Sequence, residues 1–216
     1  MSVPTPPRPR LVVLGAGGRT GRLVVGSALR SGFHVTAAVR SPERAGLSAA
    51  PDLDVVPVDA RDPEALRHVL RPGDAIVSAV GPSGRTSDGL YTSVAESVVA
   101  AAATTGAHRF VGITSSGVRE DDPNHPWWYR RLLVPFMRPT YDDMRQMEAL
   151  LRTATDSWTF VRPGRLVDEP GTGTYRVEDG GNPRGGVRIP RADVAAFVVS
   201  CVRDDRWLRR EPTITR

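Results

Sequence analysis

The sequence predicts an α/β protein: a single-domain, doubly wound parallel sheet of Rossmann-like type with helices on both faces. Three observations predict it. Short apolar runs alternate with segments of helical periodicity along the chain. The first such run, residues 11–14, opens onto a glycine string and then a helical pattern. The length, 216 residues, suits one domain.

Each element follows in order. Residues 1–9 hold four prolines and read as a flexible tail; residues 10–216 read as one nucleotide-binding domain. Residues 11–14, Leu-Val-Val-Leu, form the continuous apolar run of a strand buried on both faces. The following helix has Leu23, Val24, Ser27 and Ala28 at spacings that share a face, and Gly32 ends it. Residues 34–39 and 54–58 are strands. Pro63 opens a short helix with Asp62 as its N-cap. Residues 75–80 form the fourth strand and 88–105 an alanine- and valine-rich helix. Residues 109–113 form the fifth strand, 141–153 a helix and 158–161 the sixth strand. A helix at 193–202 and a strand at 212–215 close the chain. Two stretches break the rhythm. Residues 116–140 are proline-rich and 163–190 glycine-rich, and both start where a strand ends. Ligands of open α/β sheets bind at that edge, so both read as substrate-site insertions.

Composition removes several functions. All 29 basic residues are arginine, and there is no lysine. This excludes a lysine Schiff base, a P-loop lysine and the Tyr-x-x-x-Lys pair of common short-chain dehydrogenases. Guanidinium cannot donate a proton near neutrality, so basic groups here act electrostatically. The net charge of +5 is spread among 24 acids without aromatic interleaving, which argues against a nucleic-acid partner. The one cysteine, Cys201, lies in an apolar run and reads as a buried, inert thiol. His34, His68, His108 and His125 show no ligand spacing, and no metal is expected. No apolar run reaches the roughly 18 residues of a membrane span, and the first residues lack a secretory core. A cytoplasmic protein without a membrane partner, monomeric or homodimeric, is the expectation.

The glycine string carries the chemistry. Gly15, Gly18 and Gly21, with Gly17 between them, give a sharp turn, close backbone approach to a pyrophosphate and tight helix–strand packing. Arg19 and Thr20 sit at the helix N-terminus, whose free N–H groups attract phosphate. Arg40 ends the second strand, where an acid would hold a ribose hydroxyl and an arginine suits a 2′-phosphate. NADP is therefore the expected cofactor, with Arg19 as the second side of the clamp; a surface arginine is the plain alternative. Asp59 and Ala60 sit where an adenine would lie, and Ala79, Val80 and Gly81 beside the pyrophosphate and ribose.

At the fifth strand, Ser115 is placed to hydrogen-bond a developing oxyanion, or else to satisfy its own loop. Tyr141 with Arg145 imitates the Tyr-x-x-x-Lys spacing, with the arginine lowering the tyrosine pKa; otherwise Tyr141 is a first-turn packing residue behind the helix-opening acids Asp142 and Asp143. Trp127, Trp128 and Tyr129 read as an aromatic lid on a flat substrate, or as an anchor or dimer contact.

These residues form a familiar set. Gly15-Ala16-x-Gly18-x-Thr20-Gly21, Val39-Arg40-x-Pro42 and Val58-Asp59-x-x-Asp62-Pro63 resemble the atypical short-chain dehydrogenases/reductases of the NmrA-like NAD(P)H-binding group. Thr114-Ser115-Ser116, Asp142-Asp143-Met144-x-x-Met147-Glu148, Val161-x-Pro163 and the Ile189 to Ala195 run resemble its biliverdin-IX-beta reductase/flavin reductase branch. The resemblance covers the chain from about residue 10. It implies an NADPH-dependent reductase acting on a small conjugated or carbonyl-bearing molecule, with Thr114 and Pro163 beside the cofactor. In that branch a serine after the fifth strand helps position and protonate the acceptor, a role the resemblance implies for Ser115. That branch carries a histidine where this chain has Arg165, which can hold an anion but cannot deliver a proton. Two alternatives stay open: a non-redox cyclase or isomerase retaining NADP, and an NmrA-like redox sensor. The arginine-only, alanine-rich composition is typical of GC-rich genomes and makes bacterial secondary metabolism the expected setting.

Overall fold

A computed structural model of the protein describes residues 8–84 and 86–216. The expected tail at 1–9 lies, but for residues 8 and 9, outside the described residues. The main sheet has eight strands in the order β3-β2-β1-β4-β5-β6-β10-β8. They are β1 (Arg10–Leu14), β2 (His34–Val39), β3 (Leu53–Pro57), β4 (Ala75–Ser78), β5 (Arg109–Ile113), β6 (Trp158–Pro163), β8 (Arg176–Asp179) and β10 (Pro212–Thr215). All pairs are parallel except the antiparallel pairing of β8 with β10. A small parallel pair, β7 (Arg165–Val167) and β9 (Arg188–Pro190), stands beside it.

Helices α1 (Arg19–Arg30) and α5 (Arg191–Arg203) cover one face; α2 (Pro63–Val69), α3 (Leu90–Thr105) and α4 (Val134–Ala154) cover the other. Strand β1 shows why both layers are needed. Leu11 and Val13 pack toward α1 and α5, Val12 and Leu14 toward α3, and all four are inaccessible to solvent. The order reverses between β1 and β4, which opens a crevice at their carboxyl ends.

Several expectations hold in detail. The Asp62 carboxylate accepts from the Glu64 and Ala65 N–H groups at 2.9 and 3.2 Å, capping α2. Gly32 follows α1 at φ +79°, left-handed backbone that glycine adopts without strain. Cys201 is buried, and burial pushes its thiol up to about 12.

Other expectations are corrected. Leu23 is exposed, and Val25 takes its place on the buried face of α1. Residues 116–140 are not irregular throughout: a π-helical turn at Tyr129–Leu133 runs into α4, which starts seven residues before Tyr141. Pro139 lies inside α4, so the Pro135 carbonyl lacks its usual partner. Both prolines are exposed, and water can serve that carbonyl. The glycine-rich stretch at 163–190 carries β7, β8 and β9. Its loop at Thr172 and Gly173 is tied down by buried Asp193, which accepts from both N–H groups at 2.9–3.1 Å.

The helix shift reassigns an acid. Asp143 is mid-helix and cannot serve the α4 N-terminus. It caps α3 instead, accepting from Tyr91 N–H at 3.1 Å, Thr92 N–H at 2.9 Å and the Thr92 hydroxyl at 2.6 Å. Burial alone would raise its pKa; the hydrogen bonds from Thr92, Ser87 and Tyr91 outweigh burial and hold it below the usual carboxylate value. Asp143→Asn is expected to lose about 1–2 kcal/mol in urea unfolding at pH 7. Because the folded pKa is depressed, the carboxylate's contribution is complete above about pH 4 and lost as pH falls through the folded value. The gap between wild type and variant should therefore narrow on acidification; a constant gap would remove the charge from the explanation.

Candidate functional site

Strand β1 ends in a glycine turn built for close approach. Gly15 has φ +72°, and a Cβ there would stand 2.9 Å from the Val80 backbone. A Cβ at Gly21 would fall 2.2 Å from the Gly15 carbonyl oxygen, so α1 meets the turn backbone to backbone. Gly18 is the N-cap residue of α1, with no side-chain cap and no acid in the first turn. The helix thus presents uncompensated N–H groups and positive potential.

A groove of about 980 Å³ runs from this turn across β2, β3 and β4. Clefts for cofactors commonly span about 300–1,000 Å³. Of the expected residues, Gly15, Gly17, Gly18, Arg40, Asp59, Ala60, Ala79, Val80 and Gly81 line it. Ser41, Arg44 and Arg61 line it too, and the sequence reading missed them. Arg61 holds Asp59 through a forked pair, Nε at 3.1 Å and a terminal nitrogen at 2.7 Å, and this pairing keeps the Asp59 carboxyl below its usual pKa. Arg40 makes no ion pair among the described residues. Pro42 opens a short 3-10 turn at Pro42–Arg44 that turns the chain back to the groove, a signal that pointed to Arg44.

Arg19 is not the second side of a clamp with Arg40. Its guanidinium pairs with Asp168, which also takes Arg191 Nε at 2.9 Å, on the opposite flank. Thr20 follows Arg19 in the first turn of α1. Gly21 is buried and serves packing.

The remaining expected residues lie past β5 and β6, and none of them lines the groove. Thr114 is buried and does not line the groove; its hydroxyl donates to Glu148 Oε1 at 3.0 Å. Glu148 also accepts from Arg162 Nε at 3.1 Å and Arg152 at 2.8 Å, and Glu211 pairs with Arg162 at 2.7 Å. Glu148 and Arg162 are 1% and 7% exposed in their side chains, so their ion pair is enclosed, bonded to Thr114 one residue before Ser115. Pro163 ends β6 and is buried. The Ser115 oxygen accepts from Gly117 N–H at 3.3 Å, the loop-satisfying role, and this leaves its O–H free to donate.

Tyr141 is buried against Gly117, where a Cβ would stand 2.3 Å from the ring. Its hydroxyl meets that of Tyr129 at 2.8 Å, not Arg145. Arg145 instead donates to the Val118 carbonyl at 2.8 Å and pairs with Glu120 and Asp142, so the imitation of Tyr-x-x-x-Lys has no electrostatic counterpart. Tyr129 is partly buried, and burial with the Tyr141 hydroxyl raises its pKa. Its ring stacks on His125 at 4.4 Å between centroids. Burial pushes the His125 imidazole below its ordinary pKa, and Nε2 lies 3.1 Å from the Ser116 carbonyl and 2.8 Å from the Asn182 side-chain nitrogen. Asp122 takes the Asn182 N–H at 2.6 Å and so stitches the two insertions together. Arg165 extends an exposed side chain from β7, and Trp127 and Trp128 are exposed as well.

Fold and turn together define a nucleotide-binding α/β protein whose crevice suits a pyrophosphate-linked dinucleotide. The chain belongs to the family described as NAD(P)H-binding, which matches residues 15–205. The uncharacterized sugar epimerase YhfK of Bacillus subtilis (strain 168) is 28% identical over 212 residues, covering 95% of this chain and 94% of that protein. Among solved structures, the oxidoreductase ylbE from Lactococcus lactis superposes with a TM-score of 0.80 at 19% identity, covering 96% of this chain and 90% of that one. SP1627 from Streptococcus pneumoniae TIGR4, a candidate NADH-flavin reductase, gives 0.73 at 23% identity, covering 96% and 99%. These structures share the fold.

Proposed function

We propose that the protein is an NADPH-dependent reductase of the atypical short-chain type, acting on a small conjugated or carbonyl-bearing organic molecule. One observation carries the reading. The uncapped, acid-free start of α1 faces a glycine-lined groove whose far end holds Arg40, Ser41 and Arg44. A bound reduced nicotinamide dinucleotide supplies a hydride. The residues do the rest. The α1 N–H groups hold the pyrophosphate. Arg40 and Arg44 grip the 2′-phosphate, which NADH lacks. The Ser115 O–H donates to the acceptor oxygen as charge develops there. Arg165 attracts an anionic group on the substrate, and Tyr129, stacked on His125, walls the substrate side. Tyr141 acts through Tyr129, holding the Gly117 turn that places Ser115.

Arg40→Ala is expected to weaken NADPH binding by at least tenfold, the value of one charge-assisted contact of about 1.5–3 kcal/mol. NADH binding should hardly change. Calorimetric titration of both cofactors checks this, and equal losses would refute the phosphate clamp. Absorbance at 340 nm with a panel of conjugated acceptors tests the reaction. Product formed without NADPH consumption would favour the cyclase or isomerase reading; binding without any turnover would favour a sensor.

A further inference from the structure

We propose that the outer face of the helical segment at residues 127–137 docks on an anionic lipid surface. Of the eight exposed large hydrophobic side chains among the described residues, five lie here: Trp127, Trp128, Leu132, Leu133 and Phe136. Trp127, Leu132 and Phe136 are 75%, 67% and 71% exposed, although such side chains rarely cluster on a free surface. The inner face is anchored, through buried Val134 and through Tyr129 stacked on His125 and bonded to Tyr141. The outer side chains are therefore held outward by a fixed frame.

Charge selects the occupant. Between Asp122 and Asp142 the chain has no acid and three exposed arginines, Arg130, Arg131 and Arg138. Arg130 and Arg131 make no ion pair among the described residues. Arg138 lies 3.9 Å from the Asp142 carboxylate, so a second copy meeting this face head-on would set Arg130 and Arg131 against their own counterparts. An anionic bilayer answers both features. Tryptophan, leucine and phenylalanine enter the headgroup boundary while arginines at the rim reach phosphate. No helix among the described residues is long and apolar enough to cross a membrane, so the contact is peripheral. This proposal departs from the expectation of no membrane partner and does not depend on the NADPH reading.

Flotation of the full chain with unilamellar vesicles tests it. With equimolar phosphatidylglycerol and phosphatidylcholine the protein should float, the exposed tryptophans should shift to the blue, and added salt should release it. Pure phosphatidylcholine should retain much less. Leu132→Ser/Phe136→Ser should lower the partition coefficient by roughly tenfold or more. Arg130→Gln/Arg131→Gln should lower it by roughly tenfold on anionic vesicles and leave neutral ones unaffected. These side chains are exposed, so thermal melting should match wild type and exclude misfolding as the cause. The proposal is overturned if anionic vesicles do not bring the protein up, or if both variants bind as wild type. It is equally overturned if sedimentation velocity shows a dimer that Leu132→Ser/Phe136→Ser dissolves, since a second copy would then cover the face.

Discussion

Glu148→Ala is expected to destabilise the protein by about 3 kcal/mol, the lower part of the range for breaking a buried ion pair. Glu148 is 1% exposed and accepts from Thr114, Arg152 and Arg162 at once. Burial would push the Arg162 guanidinium down, and Glu148 with Glu211 raises it above its ordinary pKa. Without Glu148 the arginine stays enclosed with one carboxylate where there were two. Glu211 keeps the loss from reaching the top of the range. For a chain of this size the melting temperature should fall by about 6–12 °C. Thr114 also loses its acceptor, one residue before Ser115, so the loop after β5 should loosen. Urea unfolding at pH 7 measures the cost. A change below about 1 kcal/mol would mean that the cluster is as dispensable as a surface pair.

The second large effect belongs to the glycine turn. Gly15→Ala must hold φ +72° with a side chain, at roughly 1–2 kcal/mol. The added carbon would also stand 2.9 Å from both Cα and N of Val80, inside any normal contact. The strain is relieved only if β1 and β4 part at their carboxyl ends, where the crevice opens. The expected result is a fall of more than tenfold in affinity for either nicotinamide dinucleotide, with the circular dichroism of the sheet retained. Wild-type affinity in this variant would move the dinucleotide away from the turn. Arg40→Ala is expected to affect the two cofactors unequally and Gly15→Ala equally, so the pair of measurements tests the extra phosphate and the shared pyrophosphate separately.

Local signals carried much of the fold. The apolar run at 11–14, the glycines behind it, the Asp62-Pro63 start of α2 and Gly32 past α1 are each decided within a few residues. Strand hydrophobicity, turn geometry and capping act over that range. They also marked nine groove-lining residues, from Gly15 to Gly81, because a glycine turn after β1 forces the cofactor edge into one place. Other features escaped. Pro135 and Pro139 fell in the stretch read as breaking the rhythm, yet Pro135 sits in the first turn of α4 and Pro139 inside it, both exposed. The glycines of 163–190 masked three short strands that form by pairing with distant partners: β8 with β10, and β7 with β9.

Sequence alone settled the class of domain, the glycine turn after β1 and the arginine that follows β2, because these depend on backbone sterics and near neighbours. Tertiary structure alone decided which charges meet. It sent Arg19 to Asp168, Arg145 away from Tyr141, Asp143 to the first turn of a helix that starts more than 50 residues upstream, and Glu148 into an enclosed ion pair. The physical reason is reach. A carboxylate or guanidinium binds whatever packing brings within about 3 Å, and chain spacing does not encode that partner.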